Sequence, residues 1–265
     1  MADPGPVESG LLESLLGPYR RETGRGVAVT PRGTGAAVVA AREGRADLVL
    51  VNDLESESLL VHERFGRNRR SIFAGWFVLA GPADDPAGVS RQEAAPATGS
   101  EGGSCAVCGK GLPKGPSIVG AFRRIAAGRH PFVSVGDQSG LHLREQKIWE
   151  ATGLDLPPPR YLVSGKGVRD ALALAEREGA YLLLDEATLL SATGTRLAPL
   201  FRNREKLLAD IYSVIPVNPA RVPGAGGEAA DHLAGWLASP EAQALIGAYS
   251  LRGESPYLPA VPPPP

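Results

Sequence analysis

A chain of 265 residues, 43% of them hydrophobic, is long enough to bury the core of one large domain or two medium ones. Its 28 Lys and Arg nearly cancel its 29 Asp and Glu, which excludes a global field that would recruit nucleic acid or an anionic membrane; any anion chemistry has to be local. No apolar run approaches the roughly 18 to 20 residues needed to cross a bilayer, and MADPGPVESG has neither the basic start nor the apolar stretch of a secretory signal, so as written the sequence predicts a cytoplasmic start.

In chain order, GLLESLLGPYRRET (10–23) predicts a short helix with Leu11, Leu12, Leu15 and Leu16 on one face, interrupted at Gly17-Pro18. Next come a strand in GVAVTP (26–31), a loop in RGTG (32–35), a helix in AAVVAAREG (36–44) and a buried strand in ADLVLVN (46–52). Together these predict a parallel, right-handed βαβ unit. ESESLLVHERFG (55–66) reads as helical and SIFAGWFVLAGP (71–82) as an apolar extended stretch closed by the turn-rich ADDPAG. Residues 91–117 break the rhythm and read as an inserted mobile loop.

The alternation then returns. A helix in IVGAFRRIAAG (118–128) leads to an apolar extended segment, a GDQSG loop (136–140) and an amphipathic helix. RYLVS (160–164) is a strand, GKG a loop, VRDALALAEREG (168–179) a helix, and AYLLLD (180–185) a strand. DIYSVIPVNP (210–219) is a further strand, and residues 227–250 are helical with a break that restarts the second helix at Pro240. Trp76, Trp149 and Trp236 fall in apolar periodic segments and are expected in the core.

Gly/Ser/Thr loops run into helix starts at RGTG, GDQSG, SGKG and VESG. Each helix start leaves backbone N–H groups unpaired and carries partial positive charge, so it can take an anion without a cationic protein. Ser9, Thr34, Ser139 and Ser164 add hydroxyls. Any one of these loops is accounted for as a helix cap. Four in one α/β chain point to a small polar ligand held at the carboxyl edge of the strands.

Seven stretches extend the reading: SGLLESLLGPYRRETG, RGTGAAVVAAREGRADLVLVND, GRNRRSIFAGWFVLAGPADDPAGV, PFVSVGDQSGLH, EREGAYLLLDEATLL, IYSVIPVNP and WLASPEAQALI. Through them the chain resembles the tungstate-binding proteins of tungstate ABC importers, among the two-lobed periplasmic solute-binding proteins. The resemblance implies an α/β fold of mixed sheets flanked by helices, with lobe one at residues 1–85 and 217–265, lobe two at 86–216, and a ligand cleft between them. It implies a non-enzymatic, monomeric, periplasmic protein with no cofactor that closes on a small oxyanion of the tungstate or molybdate type and delivers it to an ABC permease. Ser9, Thr34, Ser139 and Gly140 match ligand-binding positions. The chain departs from the pattern where Asp3 replaces a Thr/Ser cluster, Val135 an arginine and Leu141 a threonine; Lys166 and Arg169 are candidates for compensating charge.

Cys105 and Cys108 form the only CxxC. An incidental pair, half of a metal site and a thiol redox pair remain open for it, because a structural zinc wants four ligands. GSCAVCGKG lacks the first Gly and the final Ser/Thr of a phosphate loop, and His142 sits one turn from Ser139, poorly placed to activate it. No catalytic constellation emerges. The function class that competes with transport is a cytoplasmic sensor or interaction protein of the same fold that has lost the oxyanion and uses its CxxC insertion.

Overall fold

The computed structural model describes residues 1–90, 117–154 and 160–260. Along the chain run α1 (Pro4–Glu8), α2 (Leu11–Thr23), α3 (Thr34–Arg42), β1 (Leu48–Val51), α4 (Leu54–His62) and β2 (Arg70–Pro82). They are followed by α5 (Ile118–Ala127), β3 (Phe132–Ser134), α6 (Gly140–Thr152), β4 (Tyr161–Val163), α7 (Val168–Glu178), β5 (Tyr181–Asp185), α8 (Glu186–Ser191) and β6 (Leu197–Phe201). A 3-10 turn (Lys206–Leu208), β7 (Ala209–Pro216), α9 (Gly227–Leu237), α10 (Pro240–Ala248) and β8 (Leu258–Pro259) complete the order.

The eight strands form one mixed sheet flanked by helices, with β2 as its long central member. The first part of β2, Arg70 to Trp76, pairs antiparallel with β7; the second, Phe77 to Pro82, pairs antiparallel with β5 and β6. On the β5 side, β3 runs parallel to both β5 and β4. On the other side, β7 carries β1 antiparallel.

The cores divide at the same point of β2. One contains Phe77, Phe122, Phe132, Trp149, Tyr181 and Leu183, with Trp149 packed 4.5 Å from Phe122 and 5.1 Å from Phe132, ring centre to ring centre. A second gathers the α2 leucines, Phe73, Tyr212, Trp236 and Tyr257, and a third packs Val38 and Ala41 of α3 against Val49, Val51 and Ile215. Each large apolar side chain fully removed from water contributes about 1.5–3 kcal/mol. Helix α5 shows the sequence logic plainly: Ile118, Ala121, Phe122 and Ile125 fall on one buried stripe, and the Ser117 hydroxyl accepts the Gly120 N–H to cap its start.

Several expectations are corrected. Residues 26–30 form no strand, so the anticipated βαβ unit keeps its helix and its second strand only. Pairing there is confined to its end: Ala2 bridges in parallel to both Pro31 and Leu50. The N–H of Ala2 donates to the Thr30 carbonyl at 3.1 Å and that of Asp3 to the Leu50 carbonyl at 2.9 Å. Beside these residues lies a cavity of about 570 Å³ lined by Leu12, Leu16, Val27, Val29, Leu48 and Leu233, and residues 26–29 belong to no ladder. Pro18 sits inside α2 instead of interrupting it. Trp149 and Trp236 are buried, as expected, and Trp76 packs half-buried against the Phe77 core with the Arg204 guanidinium 4.9 Å over its ring. Helices α1 and α8 and strand β6 lacked a clear periodic signal. Cys105 and Cys108 lie outside the described residues.

Candidate functional site

Two helix starts meet. The RGTG loop opens α3 and the GDQSG loop opens α6, and the Gly35 N–H donates to the Gln138 carbonyl at 3.3 Å. The loops touch because their small residues allow it. A Cβ on Gly33 would lie 3.0 Å from Ser139 Cα, and one on Gly140 would lie 1.9 Å from Asn52 Oδ1. Gly136, at φ 68°, has room for no side chain, since a Cβ there would come within 2.3 Å of Val163 Cγ1. Gln138 also adopts a left-handed φ, 58°, which turns its carbonyl onto α3.

The expected ligand-binding residues separate into three groups. Thr34, Ser139 and Gly140 come together at the meeting of α3 and α6. Thr34 is fully buried and its hydroxyl donates to Asn52 Oδ1 at 3.0 Å; Asn52 Nδ2 donates in turn to Asp210 Oδ1 at 2.8 Å. Ser139 caps α6, its hydroxyl accepting the His142 N–H at 3.3 Å, while its own N–H donates to Asp137 Oδ1 at 2.9 Å. Ser9 ends α1 and its hydroxyl lies 2.9 Å from that of Tyr257. Lys166 and Arg169 are exposed near the start of α7, and the Arg169 guanidinium reaches Glu8 at 3.2 Å.

His142 turns back on its own loop. Its Nδ1 accepts the Gln138 N–H at 3.0 Å, and burial lowers the imidazole's affinity for a proton, with the Asp137 carboxylate opposing. The Ser139–His142 pair is therefore a cap, as its spacing indicated. Val135 and Leu141, the two departures around the GDQSG loop, are buried in the core beneath it.

Of the acidic surroundings, the sequence marked Asp3 alone. Asp3 caps α1, its Oδ1 accepting the Gly5 N–H at 3.2 Å. Burial pushes its carboxyl well above the usual range, the Asp210 charge adds to this, and the Gly5 N–H only partly offsets it. Asp210 is completely buried. Its carboxyl is pushed up to about 7 by that burial, against the opposing Tyr212 hydroxyl and Asn52 amide. Asp185, at the end of β5, caps α8 by accepting the Thr188 N–H at 2.8 Å and its hydroxyl at 2.7 Å; burial raises its proton affinity too, with Thr188 opposing. Arg144 of α6 is the cation felt by Asp210, and its Nη1 donates to the Leu207 carbonyl at 3.1 Å. Asp185, Asp210 and Arg144 sit singly in unremarkable strands and helices, so no spacing announces them; the topology of β5 and β7 gathers the carboxyls. Among the described residues no group of three or more His, Cys, Asp or Glu is arranged to hold a metal ion.

One further bridge spans the two halves of the sheet. Lys147 of α6 donates to Asp53 Oδ1 at 2.7 Å, and Asp53 caps α4 through Ser56. Burial raises the Asp53 carboxyl, but the Lys147 ammonium and the Ser56 hydroxyl and N–H outweigh it and leave it lowered.

The sequence profile of the PBP superfamily domain matches residues 5–241. Tungstate-binding protein TupA of Peptoclostridium acidaminophilum is 31% identical over 242 residues, covering 91% of this chain and 77% of that protein. A crystal structure of the tungstate ABC transporter from Geobacter sulfurreducens superposes with a TM-score of 0.77 at 28% identity, covering 94% of this chain and 96% of that one. Tungstate-binding protein TupA from Desulfovibrio alaskensis G20 gives 0.72 at 30% identity, covering 98% and 97%.

Proposed function

Because the chain belongs to the PBP superfamily, we infer that it is the solute-binding protein of an ABC transporter, capturing a small oxyanion of the tungstate or molybdate type. The observation that carries this reading is the meeting of the α3 and α6 starts, in a chain whose relatives bind tungstate. Two helix N-termini bring partial positive charge together, with the Thr34 and Ser139 hydroxyls beside them.

The division of the cores at β2 supports two lobes. We place the junction at Trp76–Phe77 and at the start of β7, with the cleft running between the α3 and α6 starts. Closure is then the mechanism. The closed state gains N–H donors from both lobes, so ligand shifts the population towards it. The Lys147–Asp53 and Arg169–Glu8 pairs, which join the two sides, favour that state further. The binding partner in turn is the permease, and the site of action extracytoplasmic. Kinship with transport proteins favours this reading over a cytoplasmic sensor.

Thermal unfolding with tungstate, molybdate, sulfate and phosphate tests it. Ligand at about a thousand times its dissociation constant stabilises the native state by about 4 kcal/mol, an easily measured rise in Tm. Tungstate or molybdate is expected to give that rise. A folded sample indifferent to all four anions contradicts the reading.

A further inference from the structure

The cleft that is proposed to hold an oxyanion is bordered by carboxyls. Asp3 is 6% exposed, and its Oδ2 is buried with no hydrogen-bond partner. Asp210 of β7, Asp185 at the end of β5 and Asp137 in the loop before α6 all act on it electrostatically, and its own charge acts on Tyr212 of β7. Of the elements against α1, α2 presents buried leucines, while α8 adds Glu186, which is neutralised by Arg202 at 2.5 Å and Arg204 at 3.2 Å. On the segment paired with Ala2, Arg32 is exposed and turned onto the Pro31 carbonyl.

The nearby cations are engaged elsewhere. Lys147 holds Asp53, Arg169 holds Glu8, and Arg144, which acts on Asp210, donates to the Leu207 carbonyl. An ionised Asp3 would set a like charge against any anion reaching the α3 and α6 starts. The same Oδ2 carrying a proton becomes an O–H donor, the one polarity an oxyanion accepts.

Resting on the oxyanion reading above, we propose that Asp3 is a specificity determinant that makes capture proton-linked: the cleft takes a tetrahedral oxyanion together with one proton, held between Asp3 Oδ2 and a ligand oxygen. No covalent chemistry is involved; the proton comes from solvent and returns to it on release. The cleft therefore tightens on its ligand as pH falls. Tungstate, molybdate and sulfate must draw that proton from solvent, whereas hydrogen phosphate can bring its own.

The test is calorimetric titration of the full chain with tungstate, molybdate, phosphate and sulfate between pH 5.5 and 8, in buffers of different ionisation heat, which counts protons directly. Above the pH at which ligand-free Asp3 ionises, the wild type is expected to take up about one proton per tungstate, molybdate or sulfate, with affinity falling about tenfold per pH unit. Asp3→Asn keeps a good helix cap and supplies a permanent N–H donor. It is expected to abolish both the uptake and the pH slope, and to bind sulfate more tightly than the wild type at pH 8. Asp3→Ser, also a cap, is expected to remove the slope as well.

A ligand-free arm keeps the two readings apart. The folded-state proton affinity of Asp3 lies above its unfolded value, so its stabilisation is present at low pH and lost as pH rises. The wild type should lose stability relative to Asp3→Asn over that rise. Parallel stability curves overturn the proposal whatever the anions do. Binding with no proton uptake, or a slope that survives in Asp3→Asn, overturns it alone. Failure of all four anions to bind even at pH 5.5 overturns the oxyanion reading and this one with it.

Discussion

Replacing Gly140 with alanine puts one methyl group where the two halves of the molecule touch. The added Cβ would lie 1.9 Å from Asn52 Oδ1 and 2.5 Å from Asn52 Cγ, and Asn52 is pinned between Thr34 and Asp210, so it has no free direction in which to swing. Gly140 is the first residue of α6 and has no positive φ, so alanine meets no backbone strain; the effect is purely one of contact. Overpacking by one methyl costs about 1–3 kcal/mol. Here that cost falls on the closed arrangement and not on either core, so it lowers the closed population and the apparent affinity by about 5- to 150-fold. Tungstate titration of Gly140→Ala should show that loss with little change in melting temperature of the ligand-free protein, and small-angle scattering should show a larger radius of gyration. Gly235→Ala is the control: it lies in α9, and its Cβ would meet only Arg70 Nη1 at 3.9 Å. Affinity equal to wild type in Gly140→Ala, with an unchanged radius, would refute the argument that this contact defines closure.

Three further outcomes follow from the same geometry. Asp210, pushed up to about 7 from an ordinary 3.8, contributes stability that is present below about pH 4 and lost as pH rises through about 7. The wild type should therefore fall relative to Asp210→Asn by on the order of 4 kcal/mol across that window in urea titrations, and parallel curves would contradict it. Phe132→Ala removes a fully buried ring packed on Phe122 and Trp149, and should cost about 3–5 kcal/mol by denaturant unfolding. Lys147→Ala breaks a partly exposed bridge between the halves; it should change stability by less than about 1 kcal/mol and weaken anion binding most at low salt.

Much of the fold is legible in the residues because the signals are local. The stripe Ile118, Ala121, Phe122, Ile125, the all-buried run Tyr181–Asp185 and the Ser239-Pro240 restart each announce their element. The segment 26–31 misleads because strand propensity alone makes no ladder, and its pairing is confined to Thr30–Arg32 against Ala2. The meeting of α3 and α6 is foreshadowed by their Gly-rich loops. Of the carboxyls that crowd it only Asp3 is, since Asp185 and Asp210 join it through contacts between distant parts of the chain. Lys166 and Arg169 show the limit of reading charge from proximity in sequence: both lie next to a candidate loop, yet both are exposed, and Arg169 is engaged with Glu8.

The most direct test of the oxyanion account is a crystal grown with tungstate and measured across the tungsten absorption edge, where anomalous scattering locates the metal atom without assumptions. The account predicts one strong peak between the starts of α3 and α6, within hydrogen-bonding reach of the Thr34 and Ser139 side chains and the Gly140 N–H. A peak elsewhere on the molecule, or none in crystals soaked at saturating tungstate, would contradict it.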